Sequence, residues 1–488
     1  MKLKHPGIVW IFFIIVTLEA IFAVPFLSWE VAVGNARLWG GWFALLALIA
    51  ICAAVWFGLD RWRALFASLG SKLDDRAAHR AFWFSLILGT ILRILWVWIY
   101  PAPQHSDQAV YFGLATSLLE HHRYSLPQIG LAYWPPGYPF FLSTWILMFG
   151  AKTWLPLLTN LVLFAASLLV IRQISFRIGG APAACMSTAL FALWPTMIMT
   201  AGQASKEMLV LFLICALLLV YFRAQDAEWT LSGIGFAFLA GILIASASLT
   251  QPSLLLFPSV LVLSEWFRGQ RITHAIGRLF IVGLIMVLMI FPWTLRNHRV
   301  LGAWVPISTN GGDVFYRANN PLATGGYTPS GEQNLDSLDE VQRSKVGFRL
   351  GKQWIVQHPG RFLALAVRKQ ILFLGDDAQG AFETLKRGLG IVGIRYLAWK
   401  GIANIFWWAI WILILVTLAK NWHGNLISDP LLASLMLGIL YLFAMHSIFE
   451  SGSKYHEPLT GLIAIVAAQV VAIAPKDQAG PERARATS

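Results

Sequence analysis

The sequence predicts an all-α, polytopic membrane protein: about 12 transmembrane helices, with two exported loops that bear juxtamembrane helices. Two observations carry the class. Of 488 residues, 57% are hydrophobic and only 12% charged, whereas soluble domains carry roughly a quarter charged residues. Apolar runs of about 18 residues or more recur along the chain, each long enough to cross the hydrocarbon core. A third observation, the placing of Arg and Lys in the short loops, sets the orientation. The formal charge of +13 then reads as cytoplasmic anchoring and contact with phosphate or anionic lipid, and calls for no nucleic acid. Cys52, Cys185 and Cys215 all fall inside apolar runs, without disulfide or zinc spacing, and read as small core hydrophobes.

In chain order the spans lie near 8–27, 39–58, 82–100, 153–171, 182–200, 206–222, 231–249, 253–267, 278–295, 401–419, 431–449 and 456–474. The opening run "MKLKHPGIVWIFFIIVTLEAIFAVPF" has the look of a signal peptide. It lacks a small-residue cleavage site and its apolar stretch is long, so a retained first helix is expected. Glu19 lies within that helix; an intramembrane carboxylate is a functional candidate by default, and contact with a neighbouring helix accounts for it equally well. Residues 60–81 hold Arg61, Arg63, Lys72, Arg76 and Arg80; residues 172–178 hold Arg172 and Arg177; residues 268–278 hold Arg268, Arg271 and Arg278. Setting all three loops on the cytoplasmic side leaves both termini inside. It also exports two long segments, 101–152 and 296–400. The division that follows is a two-span extension with a cytoplasmic loop (1–81), a membrane core with the first exported loop (82–295), the second exported loop (296–400), the last spans (401–474) and a polar, disordered tail, 475–488.

The first exported loop opens with "SDQAVYFGLATSLLE". Ser106 suits a helix cap, and Asp107 lies in the first turn, where a negative charge meets the helix dipole favourably. Tyr111, Leu114, Leu118 and Leu119 share one side at helical spacing, so a helix along the membrane surface is expected. On pattern alone Asp107 is a helix-start acid. "YWPPGYPFFLSTWILMFG" follows. Its Pro pair stops a helix, and Tyr133, Trp134 and Tyr138 suit a membrane interface. Residues 138–149 are too few to span, so a juxtamembrane or re-entrant helix is expected.

The second exported loop begins "FPWTLRNHRVLGAWVPISTNGG". Arg296 and Arg299, beside Trp293, serve either as headgroup anchors or as paired donors to a lipid phosphate. Residues 308–326, with Asn310, Gly311 and Gly312, have no periodicity; they read as a loop offering amide hydrogen bonds to a polar ligand, or as a plain connection. "SLDE" matches a capping box of Ser337 with Glu340, opening an amphipathic helix to about residue 357. "RFLALAVRKQILFLGDD" reads as a second interfacial helix, and its paired acids have no metal-site context. Lys206 and Glu207 read as a polar helix start, and "ESGSKYHEPL" sets Lys454, Tyr455 and His456 outside, between the last two spans. No phosphate-binding lysine loop, dinucleotide glycine fingerprint or zinc spacing is present in the sequence. An enzyme working outside would need a substrate activated inside and carried across, which a lipid-linked phosphate satisfies.

The series "SDQAVYFGLATSLLE", "YWPPGYPFFL", "FPWTLRNHRVLGAWVPISTNGG" and "KYHEPLTGLIAIVAA" resembles the GT-C glycosyltransferases. More closely it resembles the branch of protein O-mannosyltransferases and the lipid A aminoarabinose transferase, over residues 82–474. The resemblance implies a polyprenyl-phosphate-linked sugar donor used at the periplasmic or luminal face, with a lipid, glycan or protein acceptor. It implies a catalytic acid at Asp107. Many members follow this acid with a second one, where this chain has Gln108; members often carry Arg-Tyr where it has Lys454 and Tyr455; their Pro-Trp-x-x-Arg-Asn run stands intact from Pro292 to Asn297. The expectation is therefore one general base and no required divalent metal or other cofactor.

The chemistry agrees. Displacing a lipid phosphate from a sugar carbon needs a base near the acceptor hydroxyl and cations near the leaving phosphate. Asp107 is assigned as the base, Arg296, Lys454 and Lys206 with Tyr455 as the donor-phosphate site, and Trp134, Tyr138, Asn310, Gly311, Gly312 and His456 as the substrate-facing residues. The expected enzyme is a hexosyl or pentosyl transferase of a bacterial inner membrane. Two alternatives stand beside it. A lipid-diphosphate-dependent polymerase or ligase would use the same basic loop. A lipid-linked-sugar transporter or flippase would carry inverted repeats and midplane helix breaks, whereas the polar residues here gather at the rim.

Overall fold

Helices α1 (Gly7–Val33), α2 (Arg37–Phe57), α3 (Leu59–Ser71) and α4 (Asp75–Ile99) lead into the first long loop. The loop carries α5 (Ser106–Glu120) and α6 (Gly137–Phe149). Then come α7 (Leu155–Ala192), α8 (Pro195–Met199), α9 (Glu207–Asp226), α10 (Leu231–Thr250), α11 (Pro258–Arg268) and α12 (Ile272–Leu301). The second long loop carries α13 (Asn310–Ala318), α14 (Glu340–Gln357), α15 (Pro359–Leu374) and the short α16 (Gln379–Ala381). Helices α17 (Ile394–Asn421), α18 (Pro430–Ile448) and α19 (Thr460–Ala468) close the chain. The structure, a computed structural model, describes residues 7–33, 37–126, 129–421 and 429–472; the polar tail expected at 475–488 lies outside them. Among the described residues there is no strand, and nine helices are long and apolar enough to cross a membrane: α1, α2, α4, α7, α9, α10, α12, α17 and α18.

The remaining expected spans are redistributed. The fourth and fifth fall on the two helical segments of α7, which meet at Gly180 (φ 70°, ψ −163°) two residues before Pro182. Glycine takes this left-handed backbone without a Cβ penalty, so the chain reverses with hardly a loop. The eighth becomes a 3₁₀ turn, Pro252–Leu256, followed by the 11-residue α11. The twelfth becomes the nine-residue α19 between 3₁₀ turns. Every residue of α19 is buried. An apolar run packed inside a bundle need not match the bilayer thickness.

Helix ends follow their side chains. The Asp74 carboxylate accepts from the Ala77 N–H at 2.7 Å to start α4, and Asp429 accepts from the N–H groups of Leu431 and Leu432 at 2.8 and 3.0 Å to start α18. Each satisfies amides that the first turn leaves open. Two expected starts differ. Residue His105, not Ser106, is the N-cap of α5, and the Ser106 hydroxyl donates to Asp107 Oδ1 at 3.4 Å instead. The capping box at Ser337 does not form: Asp339 caps α14, accepting from Val341 N and Gln342 N at 3.0 and 2.9 Å. Glu340 is thereby free to reach out of its own helix.

Helix α9 lies at the centre of the bundle, 83% of its best apolar window being buried, against 17% for α2. It packs on α7 and α10; α7 packs on α4 and α19, and α1 on α2, α15 and α17. The two ends of the bundle differ in chemistry. At one end Arg177 and Arg268 both pair with Asp226. Beneath them Arg278 donates twice to Glu265, at 2.8 Å each, and Tyr221 Oη donates to the same carboxylate at 2.7 Å. Helices α4 and α12 run away from that end and deliver the chain to the two long loops, which interlock at the other: Thr309 N donates to Ala132 O at 2.9 Å.

Candidate functional site

The site is built at the loop-bearing end, where α5 and α9 begin and the 3₁₀ turn Ser453–Tyr455 joins α18 to α19. Asp107 stands in the first turn of α5. Its Oδ2 accepts from Lys454 Nζ at 2.5 Å. The same ammonium lies 3.9 Å from Oε1 of Glu207, a buried carboxylate whose Oε2 accepts from Ser205 Oγ at 2.5 Å. Burial alone would raise the carboxyl of Asp107; the charge and hydrogen bond of Lys454, helped by the charge of Lys206, outweigh it and hold the group below its usual value. Burial likewise works against the Lys454 ammonium, and Asp107 and then Glu207 outweigh it and hold it well above the usual lysine value. Both groups are thus charged, one cation shared by two carboxylates with a second cation, Lys206, within the same field.

Tyr111, buried on α5, senses the charges of Asp107 and Lys454 and carries the site to an aromatic wall. It packs edge-on against Trp134 and Tyr138, with centroids 5.3 and 5.4 Å away. Tyr138 Oη is buried without a hydrogen-bond partner among the described residues. On the other side Tyr455 Oη donates to Glu450 Oε2 at 3.2 Å, and Glu450 Oε1 lies 3.2 Å from Arg317.

The sequence-derived candidates therefore separate. The structure brings Asp107, Lys454, Lys206 and Tyr455 together, with Tyr138 and Trp134 one ring away. It places the others elsewhere. Arg296 donates to the carbonyls of Leu131 and Tyr124 at 2.6 and 3.4 Å and lies over the Trp293 ring, fastening the first loop to the end of α12. Glu340 grips the same strand of chain, accepting from Leu131 N and Ala132 N at 2.8 and 3.1 Å. Asn310, Gly311 and Gly312 form the start of helix α13 rather than a loop, packed on α14. A Cβ on Gly312 would stand 1.9 Å from the Ser344 carbonyl oxygen, so the glycine is there for close helix approach. His456 is fully buried: Nδ1 lies 2.5 Å from Phe373 O, Nε2 lies 3.0 Å from Asp377 Oδ1, and the ring stacks on Trp407. Asp377 Oδ2 also accepts from Trp194 Nε1 at 2.9 Å. This post ties the 453–459 turns to the 373–377 segment and so fixes where Lys454 sits.

Three acids emerge that the sequence reading passed over. Glu207 reads there as a helix-start residue, and Asp377 as half of a weak pair. Glu383, on a π-helical turn Phe382–Gly388, carries no motif at all. Its Oε2 meets His105 Nε2 at 2.7 Å and accepts from Gln108 Nε2 at 3.4 Å, while Oε1 accepts from Gln379 at 2.9 Å. Gln108 thus uses its amide to hold the start of α5 to this turn. Among the described residues no group of three or more His, Cys, Asp or Glu side chains is placed to hold a metal ion.

The fold is similar to that of solved structures. The oligosaccharyltransferase AglB of Archaeoglobus fulgidus, in complex with an inhibitory peptide and a dolichol-phosphate, superposes with a TM-score of 0.51 at 10% identity, over 80% of this chain and 50% of that one. Its apo form gives 0.50 at 10% identity over the same shares. This chain has the GT-C fold. ArnT from Cupriavidus metallidurans, in the apo state, is 15% identical over 81% of this chain and 78% of that one, with a TM-score of 0.40. The GT-C region here spans about half the length of the oligosaccharyltransferase chains that it matches. No protein-family model and no curated protein matches it in sequence.

Proposed function

We propose that this protein is a membrane glycosyltransferase that moves a sugar from a polyprenyl-phosphate donor to an acceptor hydroxyl at the outer face of the membrane. The observation that carries the reading is the Asp107–Lys454 pair, 2.5 Å apart at the loop-bearing end of the bundle, with Lys206 and Glu207 beside it. The GT-C fold and the dolichol-phosphate in the AglB complex support a lipid-phosphate donor. Residues 82–295 form the catalytic core in this reading, and residues 296–400 cover it. The gathering of Arg177, Arg268 and Arg278 at the opposite end supports an orientation with that end cytoplasmic, as in a bacterial inner membrane.

The reaction is a single displacement. The acceptor oxygen forms a bond to the anomeric carbon as the bond from that carbon to the phosphate oxygen breaks; the hydroxyl proton passes to Asp107, and the bonding pair leaves with the phosphate. Lys454 and Lys206 stabilise the leaving charge. A carboxylate held low by a salt bridge is a weak base. A donor phosphate drawing Lys454 to itself removes that restraint, so the carboxyl pKa rises as donor binds. The resting ion pair is in this account a guard on the base.

The test is lipid-phosphate release by purified protein in liposomes supplied with a polyprenyl-monophosphate sugar, with water standing in for the acceptor hydroxyl. Asp107→Asn is expected to cut transfer at least about 100-fold with donor affinity retained, and Lys454→Ala to weaken donor binding. Near-normal transfer by Asp107→Asn would remove the base assignment. Turnover of a diphosphate-linked donor alone would point to a polymerase or ligase instead.

A further inference from the structure

The loops enclose a polar cavity of ≈ 110 Å³ beside the site, between the first loop, α13, the 329–336 segment and α14. Its chemistry is balanced. Of its four charged lining groups two are acids and two are guanidinium groups: Arg317 lies 3.9 Å from Asp313, and Arg343 lies 3.3 Å from Asp336. Two tyrosines complete it: Tyr133 Oη donates to Asp313 Oδ2 at 2.6 Å, and Tyr316 Oη accepts from Gln333 N at 3.0 Å.

A phosphate or carboxylate ligand would meet no surplus positive charge here. A lipid tail would meet almost no apolar wall. Adjacent hydroxyls, which both donate and accept, match carboxylates that accept and guanidinium groups that donate. Tyrosine rings suit the apolar face of a sugar ring. The volume holds roughly four waters at about 30 Å³ each, which a sugar ring would displace. The cavity also touches the site: Arg317, in its wall, pairs with Glu450 at 3.2 Å, and Glu450 accepts from Tyr455, the neighbour of Lys454.

We infer that this cavity is the acceptor subsite, and that its ligand is a neutral carbohydrate, a terminal sugar of a glycan acceptor. The inference rests on the glycosyltransferase reading for the word acceptor; the binding itself does not. Donor lipid reaches Lys454 from the membrane, whereas this cavity is built from the loops and takes a ligand delivered from solvent.

The experiment is saturation-transfer NMR on the full chain in nanodiscs, with D-glucose, D-mannose, D-galactose and N-acetyl-D-glucosamine as neutral probes and D-glucuronate and glucose 6-phosphate as anionic ones. At least one neutral sugar is expected to receive saturation and the anionic ones none. Ser330→Trp, which fills the cavity, should abolish the signal. Gln333→Ala, whose side chain serves none of the ion pairs, should weaken binding about tenfold, the loss of one hydrogen bond. No signal from any neutral sugar, an unchanged signal in Ser330→Trp, or a preference for the anionic probes would overturn the proposal. Hydrolysis of the donor, with water taking the sugar in place of the acceptor, is measured alongside on the wild-type protein. Wild-type turnover with no cavity binding sinks this inference alone; cavity binding with no turnover of any lipid-linked sugar sinks the catalytic reading and leaves the carbohydrate site standing.

Discussion

Gln108 shows how a single residue settles what its neighbour can be. Its amide donates to Glu383 Oε2, and both side chains are buried. A glutamate there would set two carboxylates against each other in a low-dielectric pocket, and the pKa of the pair would rise. Gln108→Glu is therefore expected to cost about 1–3 kcal/mol at neutral pH. The sign follows from linkage. A carboxyl raised in the folded state destabilises fully above its folded pKa, and the penalty vanishes once pH falls below the unfolded value of about 4.3. Thermal unfolding of wild type and variant at several pH values checks this; a gap that widens towards acid would refute it. His456 is the second residue of this kind. Replacing it by Phe keeps a ring against Trp407 but strands the buried Asp377 carboxylate, whose pKa burial already raises. Removing a hydrogen-bond partner from a buried polar group costs roughly 1–3 kcal/mol. His456→Phe should lower the melting temperature sharply and weaken donor affinity through Lys454, whereas a residue touching substrate would lower transfer with stability unchanged.

At the scale of elements, what the sequence shows and what it hides divide along one line. Apolar runs and helix starts are local, and they are legible: α6, α14 and α15 stand close to where periodicity and length put them. Asp107 and Lys454 are legible one by one because each sits in a distinctive stretch at a span boundary. Their meeting is not, since 347 residues separate them. The same holds for Glu383, whose partner His105 lies 278 residues away. The Asn/Gly run at 308–326 misleads for a different reason. Glycine depresses helix propensity, so the segment reads as loop; the helix forms because α13 and α14 approach too closely for any side chain at Gly312 or Gly347. Gly312→Ala tests that account. The added methyl has backbone on its path and cannot be relieved by a rotamer change, so a loss of about 1–3 kcal/mol is expected, with α13 displaced. Limited proteolysis between α13 and α14 should become faster. A variant as stable and as protease-resistant as wild type would return Gly312 to the ligand-binding role that its sequence context suggests.

For the molecule as a whole, two chemically distinct ends are held apart by a bundle whose centre, α9, is almost wholly buried. Arginines with short tethers cluster at one end, and the Asp107–Lys454 site and both long loops lie at the other. Charge in short loops sets orientation because each Arg or Lys near a span resists transfer across the bilayer, whereas long loops cross largely regardless of charge. The end bearing α3 is accordingly expected to face the cytoplasm. Accessibility of single cysteines decides this. Cys52, Cys185 and Cys215 are first replaced by Ala, since each lies in a membrane helix. Ser71→Cys on α3 and Glu332→Cys in the second loop, both at exposed positions, are then introduced one at a time. A membrane-impermeant maleimide should label Glu332→Cys in intact cells and Ser71→Cys only after permeabilisation. The reverse pattern would place the site in the cytoplasm. A lipid-linked donor would then no longer be required, since free nucleotide-activated sugars would reach the site.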